Sequence, residues 1–189
     1  MSELTRDEIL QKIQAGESLE GMDLSEADLS YETLKGAKLK GANLSEAHLQ
    51  NTNFERADLS GANLSKAFLF GANLAEANLD NATCTETNLQ DTNLEKASVK
   101  NAQMASCSLF GSNLENANFA GTNLVRARLK RAIMKGANFS NANLEDTHLE
   151  RTDLTNTDFT GANLKNAKMQ QAKTEGTNFS GAKTDGMIQ

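Results

Sequence analysis

Large apolar residues recur along this chain every five positions. Starting at Leu19 and stepping by five to Thr184, the walk lands 34 times without insertion or deletion. Those positions hold 22 Leu, 5 Phe, 3 Met, one Val, one Cys and two Thr. Two residues before each of these central positions stands a small one, with 21 Ala and 8 Thr among the 34. All 13 glycines share a third phase, two residues after the central one. A period of five matches neither a helix at 3.6 nor a strand at 2. On an ideal helix the leucines would be smeared around the surface. The period fits a coil that turns a corner every five residues, sending one large and one small side chain inward from each side.

Ahead of the repeat, Thr5 with Glu8 reads as a capping box, Leu4 with Ile9 as a hydrophobic staple, and Gly16 as a helix stop. Ile9, Leu10 and Ile13 then form one apolar stripe. This predicts a short helix over 5–15 that covers the open end of the first coil. At the other end the central residues turn polar, at Thr174 and Thr184, and no apolar segment or helix follows.

Units such as Ala42-Asn43-Leu44-Ser45-Glu46 and Ala57-Asp58-Leu59-Ser60-Gly61 match the motif A-(D/N)-L-x-x. In these the sequence resembles the pentapeptide-repeat family, over roughly residues 17 to 186. The resemblance implies an all-β solenoid, a right-handed quadrilateral parallel β-helix with four units to each coil. Thirty-four units then make about 8.5 coils, a rod of about 40 Å at ~4.8 Å per rung. The expected organisation is a capping helix over 1–16, the β-helix over 17–186 and a tail over 187–189. The residues agree with this. Asn or Asp precedes the central residue in 19 of 34 units, where short polar side chains bond their own turning backbone. Proline is absent, as expected where stacked coils need nearly every N–H as a donor. Cys84 and Cys107 both fall in inward phases and read as core filler.

Chemistry is sparse. His48 and His148 lie five coils apart in one column, about 24 Å, too far to share a metal or a proton. No nucleophile elbow, phosphate-binding loop or metal-ligand motif occurs, so no enzyme activity, metal or cofactor is expected. No apolar run approaches the ~18 residues of a membrane span. The start is acidic where a signal peptide would be basic and then apolar, which makes the cytoplasm the expected compartment. The formal charge of −6 argues against nucleic acid as the general partner. It is also uneven, −8 over residues 1–100 and +2 over 101–189.

The outer surface remains. Sorted by the four-unit coil, one wall stands apart, the one centred on Leu29, Leu49, Leu69, Leu89, Leu109, Leu129, Leu149 and Met169. It carries Tyr31, both histidines, and Phe68, Phe70 and Phe110, which are the phenylalanines outside the central phase. It also carries Arg128, Lys130, Arg131, Arg151 and Lys168. Exposed aromatics with arginine anchor protein interfaces. The candidate interaction face is therefore Phe68, Phe70, Phe110, Arg128, Lys130, Arg131 and Arg151, presented by a non-enzymatic scaffold to a protein partner. The opposite wall, centred on Leu39, Leu59, Leu79 and Val99, is bland, its lysines balanced by aspartates. The family resemblance implies a second role, that of a DNA-mimicking binder of DNA gyrase or topoisomerase IV of the quinolone-resistance type. The chain departs from that group in lacking a C-terminal dimerisation segment, a projecting loop and an acidic far half. The expected assembly is a monomer or a weak end-to-end homodimer through the C-terminal coil.

Overall fold

The computed structural model describes residues 4–189. Helix α1, Arg6–Gln14, opens the described chain. Its N-cap is Thr5, whose Oγ1 accepts the Glu8 N–H while Glu8 Oε2 accepts the Thr5 N–H at 2.8 Å, closing the capping box. Gly16 ends it in the left-handed region at φ +71°. Ile9 is fully buried, and Leu4, Leu10 and Ile13 pack against the same core. Arg6 anchors the helix to the first coil through the Ser30 carbonyl and an ion pair with Glu32.

Beyond α1 the backbone climbs in coils of four units. Parallel bridges join Asp23 to Asn43, Asp28 to His48, Thr33 to Asn53 and Lys38 to Asp58, and the ladder repeats without a slip to Lys168 and Ile188. Four walls result, each made of one unit per coil. The central residues from Leu19 to Met169 fill the lumen and are all buried. The small phase packs beside them, and its threonines are satisfied by carbonyls; Thr52 Oγ1, for example, donates to Leu29 O at 2.8 Å. Cys84 and Cys107 are buried free thiols, and burial pushes the Cys84 thiol up to about 12 and also raises Cys107. Phe119, Phe139, Phe159 and Phe179 stack in one column, with successive ring centroids 4.8, 5.5 and 5.6 Å apart.

The hydrogen bonds show why the period is five. The central N–H donates to the next coil, as Leu24 to Asn43 O, and so does the corner N–H, as Gly41 to Ser60 O. The pre-central N–H donates to the coil before, as Asn63 to Ala42 O, and the small-phase N–H closes a turn, as Ala62 to Leu59 O. That leaves the N–H just after the central residue. In each unit with Asn or Asp before the central residue, that side chain accepts it, as Asn63 Oδ1 does from Ser65 and Asp158 Oδ1 from Thr160. Each Asn or Asp therefore supplies the one acceptor that the coil lacks.

Asp28 shows the ionised form of this turn. Its carboxylate accepts the Ser30 hydroxyl at 2.6 Å and the Ser30 N–H at 3.1 Å. These bonds, with Arg6 and His48 nearby, hold its carboxyl below the ordinary value of 3.8. A depressed folded pKa adds stability above the unfolded value and loses it as pH falls through the folded one. Asp28→Asn keeps the acceptor and removes the titration. Its melting temperature is therefore expected to fall less than that of the parent between pH 6 and pH 3 in paired thermal melts. An equal fall in both proteins would refute this.

Candidate interaction face

The seven candidate residues come together on one wall, as the four-unit register requires, and they do so in two groups. Phe68 and Phe70 sit on the same coil and are 42% and 43% exposed. The ring of Phe68 stacks on that of His48, one coil earlier, at 5.2 Å. Two coils onward Phe110 is half-buried, with the Arg131 guanidinium over its ring at 5.7 Å. Arg128 and Lys130 share the next coil, and Arg151 follows, its Nε donating to Gln171 Oε1 at 2.8 Å. Tyr31, at 76%, is the most exposed of the large apolar residues and stands on the same wall near α1.

Several cations elsewhere find carboxylates at the neighbouring rung, while Lys38, Lys40, Lys66 and Lys183 make no ion pair among the described residues. Arg56 meets Glu76 at 2.8 Å, Lys35 meets Glu55 at 2.9 Å and Lys100 meets Asp80 at 3.0 Å. Among the described residues, Arg128, Lys130, Arg131, Arg151 and Lys168 make no ion pair. The carboxylate beside them, Glu150, turns its Oε1 to the His148 ring at 3.2 Å. Burial opposes its ionisation. Its own backbone N–H, the His148 ring and Lys130 outweigh burial and hold the carboxyl below its usual range.

The wall also breaks the pattern that the rest of the coil obeys. Six of its eight pre-central positions lack Asn or Asp, being His48, Phe68, Ser108, Arg128, His148 and Lys168. Each of the other three walls departs three times. Without that acceptor, the backbone N–H groups of Gln50, Phe70, Phe110, Lys130 and Gln170 have no partner within the described chain. Four buried side-chain atoms also lack a partner, namely Gln50 Oε1, Ser108 Oγ, Glu150 Oε2 and Gln170 Oε1. All four belong to this wall. Sequence reasoning missed this wall of unsatisfied polar groups. The signal was present as the run of pre-central residues other than Asn and Asp. Among the described residues no group of three or more His, Cys, Asp or Glu gathers in a metal-holding arrangement. No helix is long and apolar enough to cross a membrane.

The model of the pentapeptide repeat region matches residues 102–179, and that of pentapeptide repeats in eight copies matches 37–74 and 69–104. The chain belongs to the pentapeptide-repeat family. Its coil is the family's right-handed quadrilateral β-helix. Among solved structures, this pentapeptide-repeat protein is similar to HetL, a protein involved in heterocyst differentiation regulation from the cyanobacterium Nostoc sp. strain PCC 7120. The identity is 27%, over 97% of this chain and 96% of that one, with a TM-score of 0.41. It is similar also to QnrB1, a plasmid-mediated fluoroquinolone resistance protein, at 18% identity over 82% and 88%, TM-score 0.48. A third is Rfr23 from the cyanobacterium Cyanothece 51142, at 23% identity over 95% of each chain, TM-score 0.26. No curated protein matches.

Proposed function

We propose that this pentapeptide-repeat protein is a non-enzymatic interaction scaffold, whose aromatic and basic wall is the docking surface for a protein partner. The observation that carries this reading is the concentration on one wall of departures from the Asn/Asp rule. A solenoid under selection for stability alone gains nothing by replacing a backbone acceptor with Phe68, Arg128 or Lys168, and local inconsistencies of this kind gather at functional sites. The replacements are also of the types that anchor interfaces. DNA mimicry of the topoisomerase-binding kind would call for rows of carboxylates. The unpaired cations of this wall speak against placing such mimicry here.

The double variant Phe70→Ser with Phe110→Ser tests the reading. Both side chains project from the wall rather than fill the lumen, so the melting temperature is expected to stay within a few degrees of the parent. Capture of the partner from lysate of the source cell by the immobilised protein is expected to disappear. Capture that survives, while charge reversals on another wall remove it, would place the docking surface elsewhere.

A further inference from the structure

The basic half of the wall carries two sets of unmet demands side by side. One set consists of donors. The backbone N–H groups of Phe110 and Lys130 lack the acceptor that Asn or Asp supplies elsewhere, and Arg128, Lys130 and Lys168 make no ion pair among the described residues. The other set consists of acceptors. Glu150 Oε2 and Gln170 Oε1 are buried without a donor, and Ser108 Oγ is buried with neither. Both sets line adjoining hollows in the wall, the first of them lined by Ser108, Phe110, Arg128, Lys130, His148 and Glu150. Buried polar groups are normally paired, so a cluster of unpaired ones in a surface hollow is completed by water or by another molecule.

A ligand that answers all of these must be anionic, must offer both N–H donors and carbonyl acceptors at short intervals, and must bring an apolar group to Phe110. A polypeptide backbone is the common polymer that alternates donors and acceptors. Building on the proposed docking role of this wall, we infer that the partner enters it with an acidic peptide segment bearing one apolar side chain. Its carboxylates lie against Arg128, Lys130 and Lys168, its backbone meets Phe110 N–H, Glu150 and Gln170, and its apolar side chain rests on Phe110. Arg128 and Lys168 are two rungs apart, about 10 Å at ~4.8 Å per rung, so a segment of a few residues spans them. A nucleic acid is a poorer occupant. Its phosphodiester backbone satisfies the cations and the free N–H groups but offers no donor to Glu150 or Gln170. Its continuous charge also meets Glu150 itself and a chain of net charge −6.

The probe is a fluorescein-labelled synthetic peptide with glutamates on both sides of a central leucine, titrated against the full chain and followed by anisotropy. Amide NMR shifts map where it sits. Binding is expected to weaken with salt and to move the amides of Ser108, Phe110, Arg128 and His148. Arg128→Glu with Lys168→Glu should weaken it about tenfold or more, whereas Lys38→Glu with Lys40→Glu on the opposite wall should change it less than about twofold. The same peptide with lysines for glutamates should not bind. The inference is overturned if the acidic peptide shows no binding at millimolar concentration, if its shifts spread over the bland wall, or if a short DNA duplex binds more tightly. If the peptide fails while partner capture still requires Phe70 and Phe110, the acidic segment is wrong and the docking wall stands. If the peptide binds here but capture ignores the wall, the local chemistry is right and the docking role is wrong.

Discussion

Replacing Phe139 by alanine is expected to cost about 3–5 kcal/mol of stability, the range for emptying a large aromatic site in a packed core. The ring is fully buried between those of Phe119 and Phe159, at 4.8 and 5.5 Å. The upper part of the range is expected, because the lumen has little freedom to collapse. Its floor and ceiling are rungs held apart by backbone bonds, Phe119 N to Asn138 O and Phe139 N to Asp158 O, both 2.7 Å. A helix pair could slide together over such a void, but a β-helix rung keeps its height. Phe179→Ala, in the partly exposed last coil, should cost distinctly less. Chemical denaturation of both variants reads the difference. A loss below about 1 kcal/mol at Phe139 would mean that the column does not hold its neighbours in place.

Gly121→Pro should be comparably damaging for a different reason. Gly121 turns a corner at φ +69° and donates its N–H to Ser140 O at 2.9 Å. Proline forces φ near −65° and has no N–H to give, so a loss of about 3 kcal/mol or more is expected. Glu86→Gly is the matched control. Glu86 makes the same corner at φ 59°, with its N–H on Ala105 O. Glycine there relieves left-handed strain but frees the unfolded chain, and these effects offset to within about 1 kcal/mol. Similar losses in the two variants would show that corner geometry is not what limits stability.

The phases of five were legible in the residues alone, and with them the lumen, the phenylalanine column, the buried thiols and α1. A strict repeat makes each of these a matter of counting, because every rung neighbour lies four units away. Two features needed the backbone. The glycines alone mark the corners in sequence, yet Tyr31, Arg131 and Arg151 turn the same corner at φ 60–64°. Stacking forces that conformation on whatever residue occupies the phase, and the glycines are its easiest occupants rather than its cause. The second is pairing on the candidate wall. Lys130 and Glu150 are rung neighbours, like Arg56 and Glu76, so counting alone would join them. Glu150 instead faces His148, its near neighbour in the same unit, a rotamer choice that no spacing encodes. Lys130 is unpaired in consequence, whereas Arg128, Arg131, Arg151 and Lys168 have no carboxylate as a rung neighbour, which counting does show.

The four-unit coil also governs how such a chain can change its length. Adding or removing four whole units between Phe70 and Phe110 would lengthen or shorten the rod by one rung and leave the aromatic group below the cationic one. Adding or removing a single unit would keep every leucine inside and every corner intact. The upper part of the molecule would nevertheless be turned a quarter of a revolution, carrying Arg128 and Lys130 round to a different side from Phe68 and Phe70. Such a product would keep its inward phases, although buried side chains stacked across the change, such as Thr92 and Ser112, would meet new rung neighbours. The lumen counts single units and the proposed docking wall counts them in fours, so such a change would alter what that wall presents while keeping the inward phases intact.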